Sequence, residues 1–257
     1  MGARLGQHFL FDPSILDRIA DAAVRDASAV VLEIGAGKGT LTRALARRAA
    51  DVIAIEADRR LATALDAVRP ANVRIVAGDA LEVAWPAADV VCGNIPYQIT
   101  SPLIERALRP PRPGRIVFLV QREVADRLAA RPGTRAWGAL SAGVQLVAAV
   151  ERLFRVPAGA FRPKPRVDSA VVRLTPRDTP LVASLDEEAR VRRLIQAGFQ
   201  RRRQQLARSL REAWGVEREE AERLLAKLGA GPGTRIEVLT PEQLVGLARA
   251  LGPRLAS

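Results

Sequence analysis

Between residues 12 and 130 the apolar positions fall into two alternating rhythms. Short apolar runs occupy AVVLEI (29–34), DVIAIE (51–56), NVRIVAG (72–78), ADVVCG (88–93) and RIVFLV (115–120). Their length, β-branched content and polar or glycine boundaries predict buried parallel strands. Between them, GTLTRALARRA (39–49), DRRLATALDAV (58–68) and QREVADRLAA (121–130) read as helices. A further helix is marked by Ile15, Leu16, Ile19 and Ala23 behind Asp12-Pro13, an N-cap with proline at the first helical position. Strands alternating with helices over short connections predict a doubly wound α/β sheet.

Downstream the rhythm changes. LVAAVERLFRVP (146–157) and RVDSAVVRLTP (166–176) predict two more strands, joined by the Pro-rich loop AGAFRPKP (158–165). With no helix between them they predict an antiparallel hairpin closing the sheet edge. Beyond about residue 177 only helical patterns remain, over 186–199, 202–214, 217–228 and 240–251. The last opens on Thr240-Pro241-Glu242-Gln243, a capping box. A boundary in PRDTP (176–180) predicts an α/β domain over 1–176 and a small all-helical domain over 180–257.

Composition adds a partner class. The 257 residues carry 40 Lys+Arg against 28 Asp+Glu, a formal charge of +12. That surplus points to a polyanion, nucleic acid first and an anionic membrane surface second. Arg201, Arg202 and Arg203, followed by Arg208 and Arg211, are the candidate phosphate contacts. A single cysteine, Cys92, excludes an internal disulfide or a multi-cysteine metal site, and it reads as packing. One histidine, His8, leaves little for a histidine-based metal centre or a Ser/His/Asp triad. The N-terminus lacks the apolar core of a signal peptide, and no run of about 20 apolar residues exists. The expectation is a cytoplasmic protein without a metal or a membrane span.

The first strand exits into VLEIGAGKGTL (31–41), where Gly35, Gly37 and Gly39 permit a tight turn and close approach of a ligand. The dinucleotide pattern G-x-G-x-x-G wants a third glycine where this chain has Thr40. Glu56 ends the second strand, where an acid commonly receives ribose hydroxyls. Asp79 follows the third strand in GDAL (78–81), where a carboxylate can accept from an adenine amino group. Glycines and acids together favour an adenosine-bearing ligand without a pyrophosphate, which S-adenosylmethionine satisfies.

The fourth strand ends in GNIPYQIT (93–100). Pro96 cannot continue a β-ladder, and it is flanked by Asn94 and the only tyrosine, Tyr97. The Asn94 side-chain oxygen and the Ile95 carbonyl each offer an acceptor for an amino hydrogen. Pro96 fixes the backbone there, and Tyr97 offers a flat face to an unstacked base.

GQHFL (6–10), LEIGAGKGTLT (32–42), IEAD (55–58), GDAL (78–81), NIPYQIT (94–100) and FRPKPRVDSAVVRL (161–174) resemble the motifs of the ribosomal RNA adenine dimethyltransferases. The similarity spans essentially the whole chain and is nearest to the bacterial small-subunit group. It implies a Rossmann-like methyltransferase fold, with a mostly parallel seven-stranded sheet and a small C-terminal helical domain for rRNA recognition. It also implies S-adenosylmethionine as cofactor, held by Gln7, His8, Leu10, Gly35, Gly37, Glu56, Asp79, Ala80 and Asn94. Asn94, Ile95, Pro96 and Tyr97 would hold the target adenine, with Phe161 covering its other face. Where this chain has His8 the family often has asparagine. The implied partner is small-subunit rRNA in an assembling small subunit, met by a monomer that dimethylates N6 of two adjacent adenosines. The alternatives are a large-subunit adenine methyltransferase of the macrolide-resistance type, an RNA-binding assembly factor with secondary catalysis and, more remotely, a nucleotide-dependent oxidoreductase.

Overall fold

The computed structural model describes residues 8–255. Its central sheet has seven strands: β2 (Val30–Ile34), β3 (Asp51–Glu56), β4 (Val73–Ala77), β5 (Val90–Asn94), β6 (Arg115–Gln121), β7 (Ala148–Val156) and β9 (Ser169–Pro176). The order is β4-β3-β2-β5-β6-β9-β7. The five strands from β4 to β6 are parallel. β9 joins β6 antiparallel, with Ile116 opposite Leu174 and Gln121 opposite Ser169. A separate two-residue ladder pairs β1 (Phe9–Leu10) antiparallel with β8 (Phe161–Arg162).

Helices α1 (Pro13–Ala23), α2 (Thr40–Ala46), α3 (Arg59–Asp66), α4 (Thr100–Ala107) and α5 (Arg122–Leu128) alternate with the strands. Asp12 caps α1 by accepting from the Ile15 amide at 3.1 Å. Ile15, Leu16 and Ile19 then pack with Leu41 and Leu45 of α2 over Val31, Val52, Val90 and Val117 of the sheet. Parallel strands covered by helices explain why these segments read as continuous apolar runs rather than alternating ones.

By internal packing the chain divides into two compact units. The first runs to Ala125 and resumes over Val150–Pro176; the second comprises Asp126–Ala149 and the chain from Arg177 onward. Residues 126–149, which the sequence reading places in the α/β domain, therefore group with the helical unit. That unit contains α6 (Ala139–Gln145), α7 (Leu185–Gln200), α8 (Leu206–Trp214), α9 (Arg218–Lys227) and α10 (Pro241–Leu251). The capping box at α10 is reciprocal: Gln243 N–H donates to Thr240 Oγ1 at 3.2 Å, and Thr240 N–H donates to Gln243 Oε1 at 2.9 Å. The helix expected from 202 begins at Leu206, and residues 201–203 form the turn before it. No helix among the described residues is long and apolar enough to cross a membrane.

Candidate active site

Because β2, β3, β4 and β5 run parallel, their C-terminal ends meet on one edge of the sheet, where open α/β sheets place ligands. A cleft of about 1070 Å³, its open mouth included, lies there. Of the residues expected at the cofactor, His8, Leu10, Gly35, Gly37, Glu56, Asp79 and Ala80 line it. So do Asn94, Ile95, Pro96 and Tyr97. Gln7 lies outside the described residues.

Two glycines shape the cleft. Gly37 sits at φ 56°, and a Cβ there would come within 3.1 Å of the Phe9 ring. Gly93 faces the end of β2 so closely that a Cβ would lie 2.4 Å from the Ile34 carbonyl oxygen. That close approach sets the exit of β5, and with it Asn94, against the glycine turn.

Glu56 is buried and holds the turn from below. Its Oε2 accepts from the Gly37 amide at 2.7 Å, and its Oε1 accepts from the Asp58 amide at 2.9 Å. Both oxygens keep lone pairs for a ligand hydroxyl. Glu56→Ala would leave two amides without their acceptor, so a stability loss of about 1–3 kcal/mol is expected in urea unfolding. Glu56→Gln, which keeps one acceptor oxygen, is expected to lose less. Asp79 spends Oδ1 on the Leu81 amide at 2.8 Å and stays exposed at the cleft wall.

Asn94 is fixed by its nitrogen. Nδ2 donates to the His8 carbonyl at 2.9 Å, leaving Oδ1 without a donor among the described residues. His8 meets Asn94 through its backbone, while its ring lies 5.8 Å from the Tyr97 ring centre and its Nδ1 2.7 Å from the Pro163 carbonyl. The Tyr97 ring is half-buried, with Oη 2.8 Å from Ser169 Oγ. Burial raises the phenol above its ordinary value, and the Ser169 hydrogen bond opposes this. Tyr97 thus stays neutral and fixed in orientation.

Phe161 requires a correction. It is 0% exposed, packed in the sheet core and paired with Leu10 across the short ladder, so it presents no face to a base. The arginine cluster is also more committed than its sequence suggests. Arg202 bonds Glu237 and donates to the Arg135 carbonyl at 3.0 Å, which makes it an internal tie. Arg208 pairs with Glu212 at 2.7 Å and Arg201 lies 3.7 Å from the same carboxylate. Arg203 is exposed and makes no ion pair among the described residues.

Glu33, on β2, is a candidate site residue that sequence reasoning missed. It lines the cleft at 1% exposure, and its Oε2 has no hydrogen-bond partner among the described residues. Burial pushes its carboxyl up to about 7. The nearby Thr42 hydroxyl opposes the rise, the charge of Glu56 adds to it, and Arg43 opposes it. The readable signal is an acid inside an otherwise apolar strand. Cys92, its neighbour across β5, is a packing thiol whose pKa burial drives upward. Among the described residues no group of three His, Cys, Asp or Glu is placed to hold a metal.

A cleft at the strand ends of this sheet, with a carboxamide and an aromatic ring among its lining, matches the site expected of a Rossmann-like methyltransferase. The chain belongs to the ribosomal RNA adenine dimethylase family, whose model matches residues 2–251. It is 40% identical to ribosomal RNA small subunit methyltransferase A of Synechococcus elongatus, over 97% of this chain and 94% of that protein. The enzyme of the same name from Geobacillus thermodenitrificans is 42% identical, over 97% and 90% respectively. Among solved structures, a dimethyladenosine transferase from Plasmodium falciparum superposes with a TM-score of 0.82 at 29% identity, covering 93% of this chain and 96% of that one. The 23S rRNA methyltransferase ErmE gives 0.75 at 30% identity, covering 95% and 99%.

Proposed function

We propose that this enzyme dimethylates N6 of two adjacent adenosines in a small-subunit rRNA hairpin, within an assembling subunit in the cytoplasm. The observation that carries the chemistry is the anchored Asn94 carboxamide, with Oδ1 left at the lip of the cleft beside Tyr97. The small-subunit assignment is supported by 40–42% identity to small subunit methyltransferases A, against 30% to the 23S enzyme.

The cleft fits S-adenosylmethionine on two counts. The unpartnered Glu33 Oε2 is an acceptor for the cationic part of the ligand, and the turn at Gly37 leaves room that a side chain would fill. Glu56 would receive the ribose hydroxyls, with Asp79 and Ala80 at the adenine. When bound, the cofactor supplies an electrophilic methyl group on a sulfonium.

The protein's task is then to orient a poor nucleophile. An adenine amino group has its lone pair delocalised into the ring. Asn94 Oδ1 and the Ile95 carbonyl would each accept one amino hydrogen, which turns the lone pair out of the ring plane toward the methyl. Positioning of this kind contributes several kcal/mol. No strong base is needed, because the nitrogen turns acidic only as it is alkylated. Tyr97 would hold the base after it leaves its stack.

Label transfer tests the substrate. Undermethylated small subunits are expected to accept methyl groups, at two neighbouring adenosines on mapping. Transfer confined to naked large-subunit rRNA would overturn the small-subunit reading.

A further inference from the structure

The residue that follows two cleft-lining residues, Phe9 and Leu10, belongs to a second feature that the chemistry above does not use. Phe11 is 45% exposed, the most exposed aromatic side chain among the described residues. Its amide donates to the Ala160 carbonyl at 3.2 Å, which holds it as a continuation of the β1–β8 ladder. Phe9 and Leu10 line the cleft, and Phe11 follows them directly in the chain, just before the Asp12 cap of α1.

Both rings carry a cation. Lys38 Nζ stands 5.0 Å from the Phe9 centroid, and the Arg162 guanidinium stands 4.7 Å from that of Phe11. Arg162 makes its hydrogen bonds to the Phe161 and Gly159 carbonyls, not to a carboxylate. Lys164 and Arg166, next along the loop, are exposed as well, and none of the three makes an ion pair among the described residues. This contrasts with Arg201, Arg202 and Arg208, whose charges are answered by Glu212 and Glu237. Arg162 therefore stands against the exposed ring without an acid to answer it, with Lys164 and Arg166 close behind it in the chain.

An exposed ring backed by a guanidinium, next to unanswered positive charge, is the arrangement that grips single-stranded nucleic acid: bases stack on the ring and phosphates meet the cations. A lone surface phenylalanine needs no explanation. One capped by an acid-free arginine, and next in the chain to two residues that line the cleft, has a partner chemistry. We propose that Phe11, backed by Arg162, is a stacking platform for an unpaired ribonucleotide flanking the target adenosine, whose phosphates meet Arg162, Lys164 and Arg166. The inference rests on the proposed RNA substrate, and it names a contact outside the methyl-transfer machinery.

The test compares Phe11→Ala, Phe11→Leu and Phe11→Trp with the parent protein, using undermethylated small subunits at fixed salt. Calorimetry with S-adenosylmethionine verifies that each variant is folded. Phe11→Ala is expected to raise KM for the RNA about ten-fold. Phe11→Leu should behave like alanine, because it is apolar without a flat face, and Phe11→Trp should restore parental KM. Arg162→Gln should weaken RNA binding and lower the slope of log affinity on log salt by about one. Parental KM in Phe11→Ala, or in Phe11→Leu, overturns the platform. Failure of the parent itself to methylate the RNA is a separate result, which overturns the substrate reading and the platform with it.

Discussion

Asn94→Ala is expected to lower the rate of methyl transfer about 100- to 1000-fold, the scale seen when one preorganised polar group is removed from a reacting centre. Cofactor affinity should fall far less, because Gly37, Glu56 and Asp79 stay in place. The reason is the division of labour the proposed mechanism gives one carboxamide: Nδ2 is held by the His8 carbonyl at 2.9 Å, and Oδ1 would meet the substrate amine. Asn94→Asp sharpens the test. It keeps an oxygen on the substrate side but sets a second acceptor against the His8 carbonyl, so the side chain loses its anchor. An isosteric change should therefore also cost most of the rate. Single-turnover label transfer, with cofactor binding measured alongside by calorimetry, checks both variants. A rate for Asn94→Ala within about ten-fold of the parent would sink the orientation mechanism.

How much of this was legible in the sequence depends on whether a signal is local. The parallel strands were readable because burial on both faces leaves an unbroken apolar run, as in VVLEI and VIAIE. The cleft residues were readable because they sit at strand ends, where chain position already implies convergence. Helix α4 was missed because it starts inside the site motif, at Thr100, and carries Pro102 in its first turn. Helix α6 was missed because seven residues containing Gly143 give little periodicity. β1 and β8 have two residues each, which is too short for any period to show.

Phe161 went astray for a different reason. An aromatic in a Pro-rich loop does not reveal which way it points, and the pairing of Leu10 with Phe161 across a gap of 150 residues turned it into the core. The arginines of 201–208 likewise show their charge in the sequence but not their partners. Glu212 is near in sequence, yet Glu237 reaches Arg202 only through the fold. Glu33 was the opposite case, an acid inside an apolar strand. A local conflict of that kind is where a functional or strained site is expected.

Glu33→Gln is expected to stabilise the ligand-free protein at pH 8 and to weaken its grip on S-adenosylmethionine. The buried carboxyl titrates at about 7 in the fold against an ordinary value of 4.5. Below pH 4.5 folded and unfolded chains are both protonated there, so Glu33 makes no pH-dependent difference. Between 4.5 and 7 the unfolded chain ionises first, and stability falls as pH rises. Above 7 both are ionised and the loss levels off at about 3 kcal/mol, an upper bound. Glutamine cannot ionise, so the unfolding free energies of variant and parent should agree near pH 4 and diverge through neutrality, with the variant higher. A cationic ligand reverses the sense, because it favours the ionised carboxylate. Parental affinity for S-adenosylmethionine should therefore rise with pH through 7, while that of Glu33→Gln should be lower at pH 8 and nearly flat. Arg43, Glu56 and Cys92 are the charged or titratable groups acting with Glu33, and all three remain in the variant. Urea unfolding and calorimetry from pH 4 to 8 would read both effects. Parallel stability curves for the two proteins would show that Glu33 is not the buried, proton-holding acid of this cleft.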